Sequence, residues 1–315
     1  MPEGHSVHRL ARQFADVFAG ERLAMSSPQG RFAQGAALLD GHVLTRSVAH
    51  GKHLFLGFDH GLVLHVHLGL YGAWDFGGDS GFRGASSIGA PRKIGEREVY
   101  DDAVTDPVYA GPPAPVGAVR VRLASAHGWA DLRGATTCEA LTDAEADAVT
   151  ARLGPDPLRN LPGDRDGFIA GFAGKRTPLA TLLMDQKIIA GVGNVYRAEL
   201  LFRQRLDPWL PGSALPAEAA ALLWDDTVAM MTDGVRDGRI ITTPARYWTS
   251  SCAEGAGVVG ANGSGTRDAG TLPEPEDAHF VYRRQGQECR VCGTAVALTD
   301  HAARKLYWCP ACQSA

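Results

Sequence analysis

The stretch Cys289-Arg290-Val291-Cys292 is followed, after sixteen residues that begin with Gly293, by Cys309-Pro310-Ala311-Cys312. Two Cys-x2-Cys pairs at this spacing are typical of a four-thiolate zinc site, in which two tight turns enclose one ion. Because the four thiolates fill a tetrahedron, the metal is expected to be structural and to leave no position for water. The sequence therefore predicts one zinc, held by Cys289, Cys292, Cys309 and Cys312, in a finger over residues 279–315.

The other two cysteines, Cys138 and Cys252, are far apart and follow no pattern. A disulfide framework is therefore not expected, and a reducing compartment suits the chain. The N-terminus shows no basic-then-apolar signal, and the chain has no run of eighteen apolar residues, so neither export nor membrane insertion is expected. We predict a cytoplasmic protein whose 315 residues form two domains and the zinc module.

The net charge of −4 argues against a nucleic-acid partner when the chain is taken whole, but its distribution changes that interpretation. Residues 281–315 carry four arginines and one lysine against two carboxylates, a local net charge of +3 (Arg283, Arg284, Arg290, Arg304 and Lys305 against Glu288 and Asp300). A basic face of this kind can bind phosphates while the remainder of the protein stays acidic.

At the opposite end the chain begins Met1-Pro2-Glu3-Gly4-His5. Removal of Met1 would leave the secondary amine of Pro2, and an α-amino group titrates near pH ~7.7–8.0, so part of it is a neutral nucleophile. Its attack on a carbon such as a sugar C1′ gives an iminium, and Glu3 could move protons beside it. The plainer alternative is a processed terminus followed by a turn.

The first half of the chain has the patterns of a helix followed by strands. Apolar spacing predicts a helix over residues 7–18, with Ser6 as N-cap and Gly20 as the stop. Alternating residues in 62–70 and 119–123 predict strands with one buried face. Several such strands between residues 22 and 133 indicate an antiparallel sandwich or barrel.

The breaker-rich stretch Leu153-Gly154-Pro155-Asp156-Pro157-Leu158 marks a domain boundary. Helical patterns follow: one begins at Thr177-Pro178 and runs to Ile189, one follows the turn Gly191-Val192-Gly193-Asn194, and one covers 216–236. We predict domains over 1–150 and 151–250, with a flexible glycine-rich loop over 251–278 before the finger.

Seven motifs, in order, resemble the formamidopyrimidine-DNA glycosylase/endonuclease VIII family of bacterial base-excision-repair enzymes. They are Pro2-Glu3-Gly4, Gly51-Lys52-His53-Leu54, His67-Leu68-Gly69-Leu70-Tyr71-Gly72, Leu153–Leu158, Leu183-Met184-Asp185-Gln186, Gly191–Asn194 and the four-cysteine finger. Each motif alone is weak, but the ordered set covers nearly the whole chain. Gly4 and Tyr71 are more similar to the endonuclease VIII branch found in actinobacteria.

The resemblance implies an α+β multidomain fold, with a β-rich N-terminal domain, a helix–two-turns–helix domain and a zinc finger. It implies a monomer that acts on damaged DNA near the nucleoid. The Pro2 amine would attack C1′ and form a Schiff base, with Glu3 as proton donor. β- and then δ-elimination would nick the strand, assisted by Lys52 and by Arg304, the finger arginine.

The resemblance also assigns DNA contacts. Leu70 and Tyr71 match side chains that the family inserts where the flipped base leaves the duplex. Arg133 matches an arginine that faces the orphan base. Asn194 matches a phosphate-binding position at a helix start, and simple helix capping is the alternative for it.

One departure from the family pattern is Ser6, where a second glutamate is usual. Oxidised pyrimidines are the expected substrates, and 8-oxoguanine or formamidopyrimidines are the alternative within the family. Ser6 also keeps open a DNA-binding repair accessory with weakened catalysis. A zinc-ribbon RNA-binding protein is a third alternative, although it would not need a free Pro2.

Overall fold

The computed structural model describes residues 2–90, 109–249 and 272–314. The N-terminal part contains three helices, α1 (Gly4–Phe18), α2 (Ala33–Leu39) and α3 (Asp143–Thr150). Its strands are β1 (Arg22–Ser26), β2 (His42–His50), β3 (His53–Phe58), β4 (Leu62–His67), β5 (Ala73–Gly78), β6 (Ser87–Gly89), β7 (Val119–Ala124), β8 (Gly128–Arg133) and β9 (Thr137–Thr142).

Within the described ranges these strands are all antiparallel and follow the order β6-β5-β8-β7-β1-β2-β3-β4-β9. β1 joins β2 at Arg22–Val43 and Leu23–His42, so two sheet halves meet at this short pairing. Among the described residues β6 and β9 do not pair with each other. The arrangement is therefore the open sandwich of the two predicted alternatives, and not a closed barrel.

Helix α1 begins three residues earlier than predicted, at Gly4. Glu3 occupies the N-cap position, and Ser6 lies inside the first turn, where its N–H donates to the Glu3 carbonyl at 3.0 Å. The predicted N-cap role of Ser6 is therefore wrong. The apolar stripe of the helix, including Leu10 and Phe14, is fully buried in the sandwich core. Burial of this stripe fixes the N-terminus to the domain.

Strand β4 differs from the prediction of one buried face. Val63 and His65 are buried as completely as Leu64 and Val66 on the opposite face. The reason is α3, whose Ala146 packs against Phe55 and Val63 and covers the outer side of the sheet. A capping box between Thr142 and Glu145 starts this helix directly after β9.

The second part of the chain is helical, with α4 (Asp164–Ala170), α5 (Leu179–Leu182), α6 (Asn194–Arg203) and α7 (Ala217–Asp237). Short 3-10 turns lie at Gly212–Ala214 and Ala245–Tyr247. Helix α7 confirms the helix predicted over 216–236, and it ends at Gly238 with φ +71°.

The long helix expected from Leu179 to Ile189 is wrong, because α5 ends at Leu182. Beyond it the Asp185 carboxylate accepts the Lys187 N–H at 2.9 Å, and the Gln186 amide bonds to the backbone of the following turn. Side chains that bond to nearby backbone compete with helix hydrogen bonds, so the chain turns here although its apolar residues stay buried.

The finger contains the hairpin of β10 (Ala297–His301) and β11 (Arg304–Trp308). Most of the predicted flexible loop 251–278 lies outside the described residues. Of its described residues, Pro273, Asp277 and Ala278 are buried, and the Asp277 carboxylate accepts the N–H and hydroxyl of Thr249 at 2.7 Å each. Among the helices that the structure describes, none is both long and apolar enough to span a membrane.

Candidate active site

Glu3 lies at the junction of the two domains and is completely buried. Its carboxylate accepts the N–H groups of Gly193 and Val195 at 2.8 Å each and that of Tyr196 at 3.3 Å. These donors belong to the free N-terminal end of α6, which carries partial positive charge. The first residues of the N-terminal domain therefore cap a helix of the helical domain.

The protonation of Glu3 reflects two opposing influences. Burial raises the pKa of Glu3 above its usual value, while the charge of Lys52 and the three N–H donors oppose this rise. A carboxyl group with a raised pKa retains a proton at higher pH than an exposed glutamate does. The residue is therefore suited to give and take a proton in a site that excludes water.

Close backbone contact brings the two domains together around Glu3. The Gly4 N–H donates to the Gly191 carbonyl at 2.9 Å. A Cβ at Gly4 would lie 2.9 Å from the Gly191 Cα, and one at Gly193 would lie 2.5 Å from the Glu3 carboxyl carbon. Gly51, in the turn between β2 and β3, has φ +56° and would place a Cβ 2.9 Å from the Gly191 nitrogen. Larger side chains would separate these elements.

Lys52 follows Gly51 in this turn, and its ammonium donates to the Val192 carbonyl at 2.7 Å. Burial lowers the pKa of Lys52 to about 8, with the charge of Arg304 acting in the same direction and Glu3 opposing it. A lysine with this pKa exchanges its proton near neutral pH. The Lys52 ammonium and the Glu3 carboxylate thus both form hydrogen bonds with the same short segment, Gly191–Asn194.

Asp156 fixes the turn that carries Lys52. Its carboxylate accepts the Gly51 N–H at 2.7 Å and the Leu158 N–H at 2.9 Å, and it pairs with His8 at 2.8 Å. Burial disfavours its charged form, but these partners outweigh that effect and lower the pKa of Asp156. The domain-boundary motif therefore supplies the residue that anchors Gly51.

Gln186 holds the other side of the same junction. Its Nε2 donates to the Val192 carbonyl at 3.0 Å, and its Oε1 accepts the Gly191 N–H at 3.0 Å. The Val192 carbonyl also accepts a hydrogen bond from the Lys52 ammonium, so Gln186 positions the oxygen that binds Lys52.

Asn194 links α6 to the finger and does not cap its own helix. Its Nδ2 donates to the Lys305 carbonyl at 3.0 Å, while its Oδ1 accepts from Arg197. The Arg197 guanidinium also donates to the Lys305 carbonyl, at 2.9 Å. Both residues are buried, and burial lowers the pKa of Arg197 to about 10. The capping alternative for Asn194 is therefore wrong.

Arg304 lies beside this link, at the start of β11, with an exposed side chain. Its charge contributes to the lowered pKa of both Lys52 and Arg197, which locates it on the same side of the molecule as the buried junction. The preceding hairpin turn is formed by Ala302 and Ala303, with φ +49° and +59°. The turn thus presents Arg304 at the edge of the site.

Leu70 and Tyr71 lie in the turn between β4 and β5 and are 45% and 78% exposed. The turn around them is tightly fitted, since a Cβ at Gly72 would lie 2.3 Å from the Leu68 carbonyl oxygen. Gly134 has φ +61° and approaches the Tyr71 carbonyl in the same way. A fixed turn with two exposed apolar side chains matches the predicted insertion into DNA.

Arg133 pairs with a carboxylate within the sheet. Its guanidinium forms two bonds with the Asp75 carboxylate of the neighbouring strand, at 2.6 and 3.0 Å. The side chain is 20% exposed, so this pair is largely shielded from solvent. Arg133 therefore joins β5 to β8 through two of its donors, and its contact with a base stays a prediction.

The four finger cysteines fit a zinc ion. Their sulfur atoms all lie within 4.8 Å of one another, with Cys292–Cys309 at 3.4 Å and Cys289–Cys312 at 3.9 Å. Tetrahedral Zn–S bonds of about 2.3 Å require sulfur separations of about 3.8 Å. Gly293, with φ +78°, forms the first turn and donates to the Cys289 carbonyl at 2.9 Å. The zinc would hold the finger that carries Arg304.

Three residues of the site were missed by sequence reasoning: Asp156, Gln186 and Arg197. The first two lie inside motifs that the sequence shows, but their partners lie in other segments of the chain. Arg197 follows Asn194 by three residues, hence on the same helix face, and this spacing was the available signal. The predicted residues Pro2, Glu3, Lys52, Asn194 and Arg304 lie around this junction, whereas Arg133 is engaged elsewhere.

Comparison with known families gives three matches. Residues 1–127 match the formamidopyrimidine-DNA glycosylase N-terminal domain, and residues 153–245 match the formamidopyrimidine-DNA glycosylase H2TH domain. Residues 286–315 match a zinc finger found in FPG and IleRS.

Two curated relatives extend over nearly the entire chain. Endonuclease 8 1 of Mycobacterium tuberculosis is 39% identical over 317 residues, covering 100% of both chains. Probable endonuclease 8 2 of Streptomyces coelicolor is 31% identical, covering 100% of this chain and 94% of the relative.

Two solved structures share the fold. The MutM (Fpg) protein of Thermus thermophilus has a TM-score of 0.66 at 23% identity, covering 99% of this chain and 98% of the other. Lactococcus lactis Fpg in complex with DNA containing an abasic site has a TM-score of 0.70 at 17% identity, covering 99% and 100%.

Proposed function

Because the chain belongs to the formamidopyrimidine-DNA glycosylase/endonuclease VIII family of DNA repair glycosylases with AP lyase activity, we propose that it releases oxidised pyrimidines from DNA through a Schiff base at Pro2. β- and δ-elimination then nick the strand. The observation that carries this proposal is that Glu3, which follows Pro2, and Lys52 both bond to the segment Gly191–Asn194, which belongs to the other domain.

In the first step the neutral amine of Pro2 attacks C1′ of the damaged nucleotide, and the bond from C1′ to the base breaks. Pro2 is buried next to Glu3, so the helix that follows holds the amine in place. Glu3 donates the proton that the departing base or the opening sugar ring needs. Its three N–H donors stabilise the carboxylate that remains.

The later steps need a proton donor and acceptor close to the sugar. The iminium draws electrons from C2′, whose proton leaves as the C3′–O bond breaks, and a second elimination breaks the bond to the 5′ phosphate. Lys52 supplies a proton to a departing group, since its pKa of about 8 keeps both protonation states populated near neutral pH. Arg304 neutralises the adjacent phosphate.

Damaged duplex DNA is the proposed partner, and the exposed Leu70 and Tyr71 fill the gap left by the flipped nucleotide. The two endonuclease 8 relatives support the preference for oxidised pyrimidines. Ser6 does not enter the Glu3 network, since its hydroxyl contacts His5 at 3.2 Å, so Glu3 acts with the donors of α6 alone.

Borohydride trapping on an abasic duplex tests the covalent step. The protein with a free Pro2 should give a DNA adduct, and the same protein with an uncleaved N-terminal tag should give almost none. Cleavage of the tag to expose Pro2 is the matched control and should restore trapping. DNA binding without an adduct in every form would instead identify the accessory protein.

Single-turnover base release then separates the two substrate classes. Thymine glycol and dihydrouracil should be released faster than 8-oxoguanine opposite cytosine. The reverse order would assign the chain to the formamidopyrimidine branch while leaving the Pro2 chemistry intact.

A further inference from the structure

We propose a second metal site, unrelated to the finger, formed by His42, Asp59 and His60 and suited to a divalent transition metal that prefers imidazole ligands, such as Zn²⁺ or Ni²⁺. One ligand atom of each residue lies within 4.8 Å of the others. His42 is the first residue of β2, and the other two follow β3 directly. The proposal does not depend on the proposed function.

The distances between the ligand atoms are close to those of a coordinated ion. The Asp59 Oδ1 lies 2.9 Å from the His42 Nδ1 and 3.6 Å from the His60 Nδ1. Tetrahedral bonds of about 2.0–2.2 Å from a metal to nitrogen and oxygen place neighbouring ligand atoms roughly 3.3–3.6 Å apart. Rotation of the side chains would therefore bring all three atoms to a common ion.

The imidazoles of His42 and His60 lie side by side next to the same carboxylate oxygen, with ring centroids 3.4 Å apart and planes 17° apart. Because an imidazole binds a metal in its own ring plane, the two rings would rotate out of this stack around an ion. The His42 Nδ1 proton, which now bonds to Asp59, would leave when the ion binds. The His60 Nε2 lies 3.0 Å from the Leu38 carbonyl, which can only accept, so this nitrogen carries the proton. The Nδ1 lone pair of the neutral ring is then free for a metal, which is the usual outer-shell arrangement of a histidine ligand.

The backbone around the three residues is held in position. The Asp59 N–H donates to the Val43 carbonyl at 3.0 Å, and the Gly61 N–H donates to the Phe58 carbonyl at 3.2 Å. The three side chains are 25–37% exposed, so an ion can reach them from solvent. Two imidazoles and one carboxylate select a transition metal over Mg²⁺ or Ca²⁺, which prefer oxygen ligands.

This site lies far from the active site. His42 and Lys52 are at opposite ends of the β2–β3 hairpin, and eight steps along β2 at about 3.3 Å each give a separation of roughly 26 Å. A bound ion would clamp the start of β2 to the turn between β3 and β4 and, through Leu38, to the end of α2.

Calorimetric titration of the zinc-loaded protein with Ni²⁺ or Zn²⁺ tests the proposal, because the finger is already filled. One additional ion per chain should bind. His42→Ala and His60→Ala should each weaken this binding at least tenfold and leave the finger zinc content unchanged. His127→Ala is the matched control, since His127 pairs with Asp79 at 2.9 Å without belonging to this cluster, and it should bind the added ion normally.

Two results would overturn the proposal. The first is the absence of any additional ion in the zinc-loaded protein. The second is undiminished binding in a double variant that lacks both His42 and His60, since the ion would then use other ligands.

Discussion

Glu3 and Arg304, two of the ionisable side chains that the proposed chemistry uses, have opposite environments. Glu3 is fully buried and receives three backbone N–H groups from the other domain. Arg304 is exposed and follows a hairpin turn in which two alanines have positive φ. The first group is positioned by the protein before any substrate arrives, whereas the second extends from the surface where a phosphate can reach it.

We call the groups that the protein itself positions, such as Glu3, the prepared part, and the exposed groups that DNA can reach, such as Arg304, the receptive part. Lys52 belongs with Glu3, because its ammonium rests on the Val192 carbonyl and its turn is anchored by Asp156. Leu70 and Tyr71 belong with Arg304, because their side chains are exposed. Prepared groups can lower a reaction barrier without reorganisation, while receptive groups, which are exposed, contribute where DNA reaches them.

The largest effect is expected from Glu3→Gln. The amide cannot donate a proton as an acid does, and its NH2 group would face backbone donors. We expect base release from an oxidised pyrimidine to fall by about 10²- to 10⁴-fold, and stability to fall by about 1–3 kcal/mol. Single-turnover kinetics and thermal unfolding measure the two effects.

Glu139→Gln is the control for this change, because Glu139 is an exposed glutamate that pairs with His65 at 2.8 Å. It should retain the rate of the unmodified protein. If Glu3→Gln released the base at the wild-type rate, the buried carboxylate would contribute to folding and not to catalysis.

Loss of the zinc should unfold the finger that carries Arg304 and leave the sandwich, with Leu70 and Tyr71, folded. Cys309→Ser deletes a fully buried thiolate, and metal binding supplies the folding free energy of such a finger. DNA affinity should fall about tenfold to a hundredfold, as expected for the loss of charge-assisted phosphate contacts. Zinc content and hydrogen exchange of residues 2–90 check the two halves of this prediction.

Cys138→Ser is its matched control, since Cys138 lies in β9, outside the finger. It should keep both zinc and affinity. A zinc-free Cys309→Ser protein with full DNA affinity would mean that the finger does not grip DNA.

Local sequence patterns could predict helices, strands and the zinc ligands, because apolar periodicity and cysteine spacing are properties of neighbouring residues. They identified α7 and the four thiolates correctly. They failed for the segment after α5, where the Gln186 side chain bonds to the backbone of Gly191 and Val192. A competing partner of this kind becomes visible when the chain is folded.

The candidate site shows the same limit. Motif resemblance named Glu3 and Lys52, but it could not show that one short segment, Gly191–Asn194, binds both. It also could not show that Asp75, fifty-eight residues away in the chain, pairs with the Arg133 guanidinium. Pairings across such distances depend on strand register, which sequence periodicity does not specify.

Lys52 provides a pH test of the prepared part. Its pKa is lowered from 10.5 to about 8, so the ammonium loses its proton as pH rises through 8. If protonated Lys52 is the acid of the elimination steps, strand nicking at an abasic site should decline above pH 8. Stability should rise between about pH 8 and 10.5, because the unfolded chain binds the additional proton in that window.

Lys52→Arg distinguishes this decline from titration of the Pro2 amine, because arginine keeps its proton throughout this range and cannot act as the acid: nicking should slow, and the decline above pH 8 should disappear. The rising limb, which reflects deprotonation of Pro2, should stay where it is. A decline at the same pH in both proteins would assign it to another group.

The smallest effect is expected at the receptive edge, from Arg304→Ala. Each phosphate contact on duplex DNA contributes about 0.9 to the slope of log affinity against log salt, so the slope should decrease by about that amount. The choice of damaged base should not change, because phosphate contacts carry no base information.

The neighbouring Lys305→Ala is the control, because its ammonium already pairs with Asp300 at 2.9 Å. The backbone carbonyl of Lys305, which accepts hydrogen bonds from Asn194 and Arg197, is unaffected by the substitution. The slope should therefore stay constant for Lys305→Ala and decrease for Arg304→Ala. A slope for Arg304→Ala as steep as that for Lys305→Ala would make Arg304 an ordinary surface charge.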